Sequence, residues 1–302
     1  MFSVGIDVGG TGIKGVRLDD GGIIVDHAED PSTPDQPDTL VATIIDQARR
    51  LGVGPDVPLG VAVAAFLDPE RQIVQFSPNI SWTNRALARE LSDTLQVPVV
   101  LDNDANAACF GEFRQGAGRD ARTLAMFTLG TGVGGAVMES GRVLVGFSGT
   151  AGELGHMPIV SGGRQCGCGL SGCLETIASG TAIIARVREA TGLPQATADD
   201  VSELLRTDSE LRELVFAEVA DALVEAIVTL RAVINPDTVV IGGGVMDRAG
   251  VPLLDMISRR LHDRLSEAAF AAIPTLVAAT LGNRAGGIGA ALLAREYRSR
   301  TL

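Results

Sequence analysis

Residues 3–18 read SVGIDVGGTGIKGVRL, and residues 123–139 read TLAMFTLGTGVGGAVME. Each stretch is an apolar run, a turn containing Gly-Thr-Gly and a second run, the pattern of an antiparallel hairpin. Either turn alone is an ordinary tight bend, since glycine is common there. Two of them in one chain suggest a duplicated unit with a nucleotide between the copies. In Asp7-Val8-Gly9-Gly10-Thr11-Gly12 a carboxylate at a strand end precedes free backbone N–H groups and a hydroxyl that suit phosphate oxygens. Gly130-Thr131-Gly132-Val133-Gly134-Gly135 offers the same donors.

Working outward, Ile23 to His27 and Arg142 to Val145 add a third strand to each hairpin. Asp38 is placed to cap a helix in which Leu40, Ile44, Ala48 and Leu51 share one face, and Gly52 stops it. Leu59 to Ala64 and Val97 to Asp102 read as buried strands, and Arg85 to Thr94 as a helix. A loop rich in Gly and Cys spans 161–173, with helices expected over 179–191 and 209–234. Thr238 to Ile241 is a strand that runs into Gly242-Gly243-Gly244, and a last helix begins near Ile288. Strands interleaved with helices define an α/β chain.

Composition narrows the function classes. A length of 302 residues suffices for two modest domains. A net charge of −12, with no Lys/Arg-dense stretch, disfavours a nucleic-acid surface, which needs clustered cations. No apolar run approaches the ~20 residues that cross a bilayer. The N-terminal residues carry no basic segment ahead of an apolar one, so a cytosolic location is expected. Thirty-seven glycines permit close backbone approach to a ligand, as phosphate handling requires.

Asp102-Asn103-Asp104-Ala105-Asn106 lies where a strand gives way to a helix, the usual ligand edge of an open α/β sheet. One such residue is enough to cap a helix. The surplus suits chemistry: one carboxylate to accept a hydroxyl proton and an adjacent amide to hold a sugar. Gly243 and Gly244, beyond their strand, suit close approach of adenine or ribose, although a turn into a helix uses glycine too. His156, Cys166, Cys168 and Cys173 have the spacing and chemistry of a four-ligand zinc site. With four protein ligands no coordination position stays open, so the metal would be structural. Glu153 and Glu175 flank these ligands and could accept pairs of sugar hydroxyls, whereas Cys109 reads as a small core residue.

Together DVGGTG, SPNISW (77–82), DNDANAA, TLGTGVGG, GELGH with CGCGLSGCLE, and PDTVVIGGGV make the chain resemble the ROK family of sugar kinases and sugar-responsive repressors, its bacterial glucokinases above all. The resemblance implies a duplicated actin-like, ribonuclease-H-like fold. It also implies a small domain of residues 1–110 plus 288–302, a large domain of 111–287, and a homodimer or homotetramer. By position, Asp104 becomes the base for a hexose 6-hydroxyl, with glucose the favoured hexose. Asn79, Asn103, Glu153, His156 and Glu175 become sugar contacts. Asp7, Gly9, Gly10, Thr11, Gly12, Gly130, Thr131, Gly132 and Gly134 would hold Mg²⁺ and the ATP phosphates, with Gly243 and Gly244 at the adenosine.

Two positions depart from the family pattern. Many relatives have Lys at Gly12, and Gly12-Ile13-Lys14-Gly15 is similar to polyphosphate-using glucokinases, which keeps polyphosphate open as a donor. Ala65 stands where glycine is common, which keeps fructose, mannose, N-acetylglucosamine and N-acetylmannosamine open as acceptors. A repressor of the same superfamily would carry a winged helix-turn-helix ahead of the DVGGTG strand, and that strand starts at residue 3.

Overall fold

The computed structural model describes residues 1–266 and 272–301. The chain folds as two compact units, Met1–Arg119 with Gly141–Gly152 and Asn283–Leu302, and Asp120–Ser140 with Glu153–Gly282. Leu302, where the expected final helix ends, lies outside the described residues.

The first unit opens with three antiparallel strands, β1 (Ser3–Val8), β2 (Gly12–Leu18) and β3 (Ile24–Pro31). Helix α1 (Pro37–Arg50) leads to β4 (Leu59–Val63), which pairs in parallel with β1 and is buried at every position, as a central strand covered on both faces must be. A small sheet of β5 (Phe66–Leu67), β6 (Val74–Phe76) and β7 (Thr83–Arg85) follows, then α2 (Leu87–Leu95), β8 (Val99–Asn103) and α3 (Asp104–Gln115). The main sheet runs β3-β2-β1-β4-β8.

In the second unit β9 (Thr123–Leu129) and β10 (Val133–Glu139) form the second hairpin, and the short β11 (Arg142–Val143) follows in the chain. A 3₁₀ turn, Leu154–His156, precedes α4 (Glu175–Ala178), α5 (Gly180–Thr191), α6 (Ala198–Thr207) and α7 (Ser209–Val233). Strand β12 (Thr238–Gly242) pairs in parallel with both β9 and β13 (Thr275–Ala278), and α8 (Gly244–Leu265) connects them. The order β10-β9-β12-β13 repeats β2-β1-β4-β8, with the same antiparallel and parallel senses. The duplication suggested by the two Gly-Thr turns is thus present in the sheets.

Helix α9 (Ala285–Thr301) returns to the first unit and lies directly on its sheet. A Cβ added at Gly5 would fall 1.9 Å from the Gly287 carbonyl oxygen, and one at Gly60 would fall 1.9 Å from that of Ala290. The sheet glycines are therefore packing residues, chosen for what they lack.

Three local expectations are corrected. Helix α1 starts at Pro37, not after an Asp38 cap, because proline needs no N–H at the first helical position; Asp38 sits in the first turn instead. Thr83–Arg85 is a strand, so α2 begins two residues later than its pattern implied. The last helix starts at Ala285, three residues early.

Candidate active site

In the first unit, register places the acidic residues. Asp7 of β1 pairs with Ala62 of β4, and Ala62 with Asp102 of β8, so the two acids share one row across three strands. Asp104 follows at the first position of α3, where a negative charge suits the helix dipole. Asn103 caps that helix: its Oδ1 accepts the N–H groups of Ala105 at 2.9 Å and Asn106 at 3.1 Å. Its Nδ2 donates one hydrogen to the Ala65 carbonyl at 3.3 Å and keeps the other. Asn103 therefore serves the backbone first, and its side chain also favours the charged form of Asp104.

The carboxylates of this unit are tuned by burial. Desolvation pushes Asp104 up to about 6, against the backbone N–H groups that favour its charged form. Asp7 is pushed up to about 7 by burial and then by the Asp104 charge, while Lys14 pulls it down. Lys14 lies across from Asp7 in the hairpin register, so the lysine two residues after Gly12 acts on that acid. A proton acceptor with a pKa near the operating pH is what general base catalysis favours.

The first turn is closed by the Gly9 N–H donating to the Gly12 carbonyl at 3.0 Å. A Cβ at Gly10 would lie 3.4 Å from the Asn79 Cβ, which places the turn beside the SPNISW segment. That segment is pinned by buried Ser77, whose Oγ donates to the Ala64 carbonyl at 2.7 Å and accepts the Ile80 N–H at 3.1 Å. Asn79 itself is exposed.

In the second unit three glycine bends converge. The Gly180 N–H donates to the Gly130 carbonyl at 2.8 Å, and a Cβ on Gly243, whose φ is +90°, would sit 2.6 Å from the Leu129 carbonyl oxygen. Gly243 precedes α8 and Gly180 opens α5, so two helix N-termini flank the Gly130-Thr131-Gly132 turn. Such ends present unpaired N–H groups to anions. Beside them lies a cavity of about 780 Å³ lined by Gly180, Ile183, Val201, Leu205, Val245 and Arg248.

The ligating atoms of His156, Cys166, Cys168 and Cys173 all lie within 4.8 Å of one another. His156 Nδ1 is 3.6 Å from Cys166 Sγ, and the Cys168 and Cys173 sulfurs are 3.7 Å apart. With zinc–sulfur bonds of about 2.3 Å, the edge of a tetrahedron is about 3.8 Å, so the set fits that ion. Glu175 ties this loop to the phosphate-type turn: its Oε2 accepts the Val133 N–H at 2.9 Å, and its Oε1 lies 3.8 Å from Cys166 Sγ. Glu153 precedes the 3₁₀ turn that carries His156, and its carbonyl accepts the His156 N–H at 3.0 Å. Cys109 is fully buried, and desolvation pushes its thiol further up, consistent with a core role.

Residues 3–297 match the ROK family. The chain belongs to the ROK family. It is 35% identical over 323 residues to a glucokinase of Halalkalibacterium halodurans, covering 98% of this chain and 96% of that one. Its fold matches the ROK glucokinase of Streptomyces griseus, solved in complex with glucose and AMPPNP, with a TM-score of 0.84, 32% identity, and coverage of 98% of this chain and 100% of the other. The ROK hexokinase of Thermus thermophilus gives a TM-score of 0.87 at 31% identity, covering 99% and 100%. The actin-like, ribonuclease-H-like duplicated fold expected for a ROK protein is thereby established.

Among the described residues of this ROK protein, no helix is long and apolar enough to cross a membrane. Sequence reasoning overlooked Ser179-Gly180-Thr181. Ser179 caps α5, and the Thr181 hydroxyl donates to the Thr131 carbonyl at 2.8 Å. The Ser-Gly-Thr triplet ahead of a helical pattern was the available signal. Arg71 had no such signal, because it acts on a residue distant in the chain.

Proposed function

We propose that this protein transfers the γ-phosphoryl group of ATP to the 6-hydroxyl of a hexose, with glucose the preferred acceptor. Asp104 carries the proposal. A half-buried carboxylate at the start of α3, with its pKa pushed up to about 6, is largely ionised at neutral pH and close enough to it to take the hydroxyl proton. The kinship with glucokinases over nearly the full length of both chains supports the same reading.

The residue roles follow. In the first unit Asp104 removes the 6-hydroxyl proton, and Asn103 and Asn79 hydrogen-bond the sugar. Glu153, His156 and Glu175 are the further sugar contacts that the family resemblance implies. The Gly9-Gly10-Thr11-Gly12 and Gly130-Thr131-Gly132 turns, with Gly134 behind the latter, take phosphate oxygens through N–H groups other than those of Gly9 and Gly130, which close the two bends. The apolar cavity beside Gly243 and Gly244 seats adenosine, its 780 Å³ being of ligand size. Asp7 would hold Mg²⁺, which neutralises charge on the phosphates. Zinc held by His156, Cys166, Cys168 and Cys173 would brace the loop that presents Glu175. A cytoplasmic location, expected from the N-terminal residues, and a homodimer or homotetramer, implied by the family resemblance, complete the reading.

The test is a coupled assay over glucose, fructose, mannose, N-acetylglucosamine and N-acetylmannosamine, with ATP and polyphosphate each as donor. Turnover with glucose and ATP above all other pairs is expected, and no turnover with any pair would end the kinase reading. A different preferred hexose has one observation in its favour. Ala65 puts a buried methyl group beside the carbonyl that orients Asn103, and one such contact shifts preference by about 1–3 kcal/mol.

A further inference from the structure

Asp102 is one residue of the catalytic segment that the reaction does not use. Its side chain is almost wholly removed from solvent at the end of β8. Burial alone would push its carboxyl up, and the Arg71 guanidinium is the largest opposing influence. Arg71 reaches it from the turn between β5 and β6, donating through Nη1 to Asp102 Oδ2.

That turn is built around the arginine. Arg71 has φ of 57°, in the left-handed region that strains a residue with a Cβ. The Arg71 N–H donates to the Asp68 carbonyl at 2.9 Å, and the Asp68 side chain accepts the N–H groups of Gln72 and Ile73, both at 2.7 Å. The other Asp102 oxygen accepts the Asn103 N–H at 2.9 Å and Asn106 Nδ2 at 3.1 Å. These contacts enclose Asp104 in sequence, with Asp102 and Asn103 before it and Asn106 after it.

Stability does not account for the arrangement, because replacing a buried ion pair by apolar side chains is often neutral or favourable. We propose that Arg71 is a positioning residue: through Asp102 it fixes the backbone of Asn103 and the side chain of Asn106, and so sets where the Asp104 carboxylate stands. The inference rests on the hexose kinase reading. A displacement of the base by about 1 Å costs on the order of 100-fold in rate.

The experiment compares wild type with Arg71→Met, Arg71→Lys, Asp102→Asn and the double variant Arg71→Met/Asp102→Asn. It measures kcat, KM for glucose, and melting temperature, with and without millimolar methylguanidinium. Arg71→Met is expected to lose about 10- to 100-fold in kcat while KM for glucose stays within about threefold. Methylguanidinium should restore part of that kcat in Arg71→Met and none in Asp102→Asn. The double variant should be no worse than the poorer single one. If Arg71→Met does not fold, Arg71→Lys, which keeps the charge but loses the fork, should still show the kcat loss at normal melting temperature. Folded variants with kcat within twofold of wild type would overturn the proposal while leaving the kinase reading intact. A wild-type protein inactive on every hexose would overturn both.

Discussion

The Glu175 carboxylate accepts the backbone N–H of Val133 at 2.9 Å, and so joins the residue two places after Cys173 to the second Gly-Thr turn. Glu175→Ala leaves that N–H without its acceptor, whereas Glu175→Gln keeps a carbonyl oxygen there. Steady-state kinetics should show KM for ATP raised about 5- to 30-fold in the alanine variant and less in the glutamine variant. Equal KM values in both variants and the wild type would detach Glu175 from the turn.

Metal content is the second expectation. Purified protein should hold about one zinc per chain by elemental analysis. Cys173→Ser, at a fully buried ligand, should lower both zinc content and melting temperature more than Cys168→Ser at an exposed one. Protein free of zinc with an unchanged melting temperature would rule out the four-ligand site.

Asp104→Asn should reduce kcat by about 10²- to 10⁴-fold, the range for loss of a general base. In the wild type, kcat/KM should fall as pH drops through about 6, where Asp104 of the free enzyme takes up its proton. A pH profile flat between 5 and 7 would contradict that role.

The same carboxylate sets a stability trend of definite sign. Its folded-state pKa of about 6 exceeds the ordinary 3.8, so the folded form holds the proton more tightly. The stabilisation is complete below pH 3.8 and is lost as pH rises through about 6. Above that pH the half-buried charge costs up to about 3 kcal/mol, less where solvent screens it. Asp104→Asn should therefore melt higher than wild type at pH 8, with the difference closing toward pH 4. A difference that does not vary with pH would show that burial does not raise this pKa.

Gly60→Ala tests the seating of α9. The added methyl would meet the Ala290 carbonyl 1.9 Å away, and backbone on both sides leaves no side chain to move. A loss of about 3 kcal/mol is expected in chemical denaturation. An unchanged midpoint would mean that the helix shifts freely on the sheet.

Much of the fold was legible because it is written in local patterns. Apolar runs broken by Gly-Thr turns marked both hairpins, and one-face periodicity marked α1. Helix α8 was not legible: Gly250, at φ 55°, and Pro252 interrupt its pattern, so two arms that meet at a kink did not read as one element. The small β5-β6-β7 sheet escaped for a different reason, since strands of two or three residues carry too little alternation to read.

For the candidate site, the sequence by itself determined the inventory: the acids at strand ends, the glycine turns, and a Cys/His spacing that few roles other than metal binding require. Those follow from chemistry carried by neighbouring residues. Tertiary structure alone decided the assignments among them. It gave Asn103 to the backbone, brought Glu175 to Val133, and aimed Arg71 at Asp102 across 31 positions of chain. The reason is physical: burial raises a carboxylate's pKa and demands a partner for every polar group. Which groups are buried together depends on strand register and on the helices above, and no local pattern encodes either.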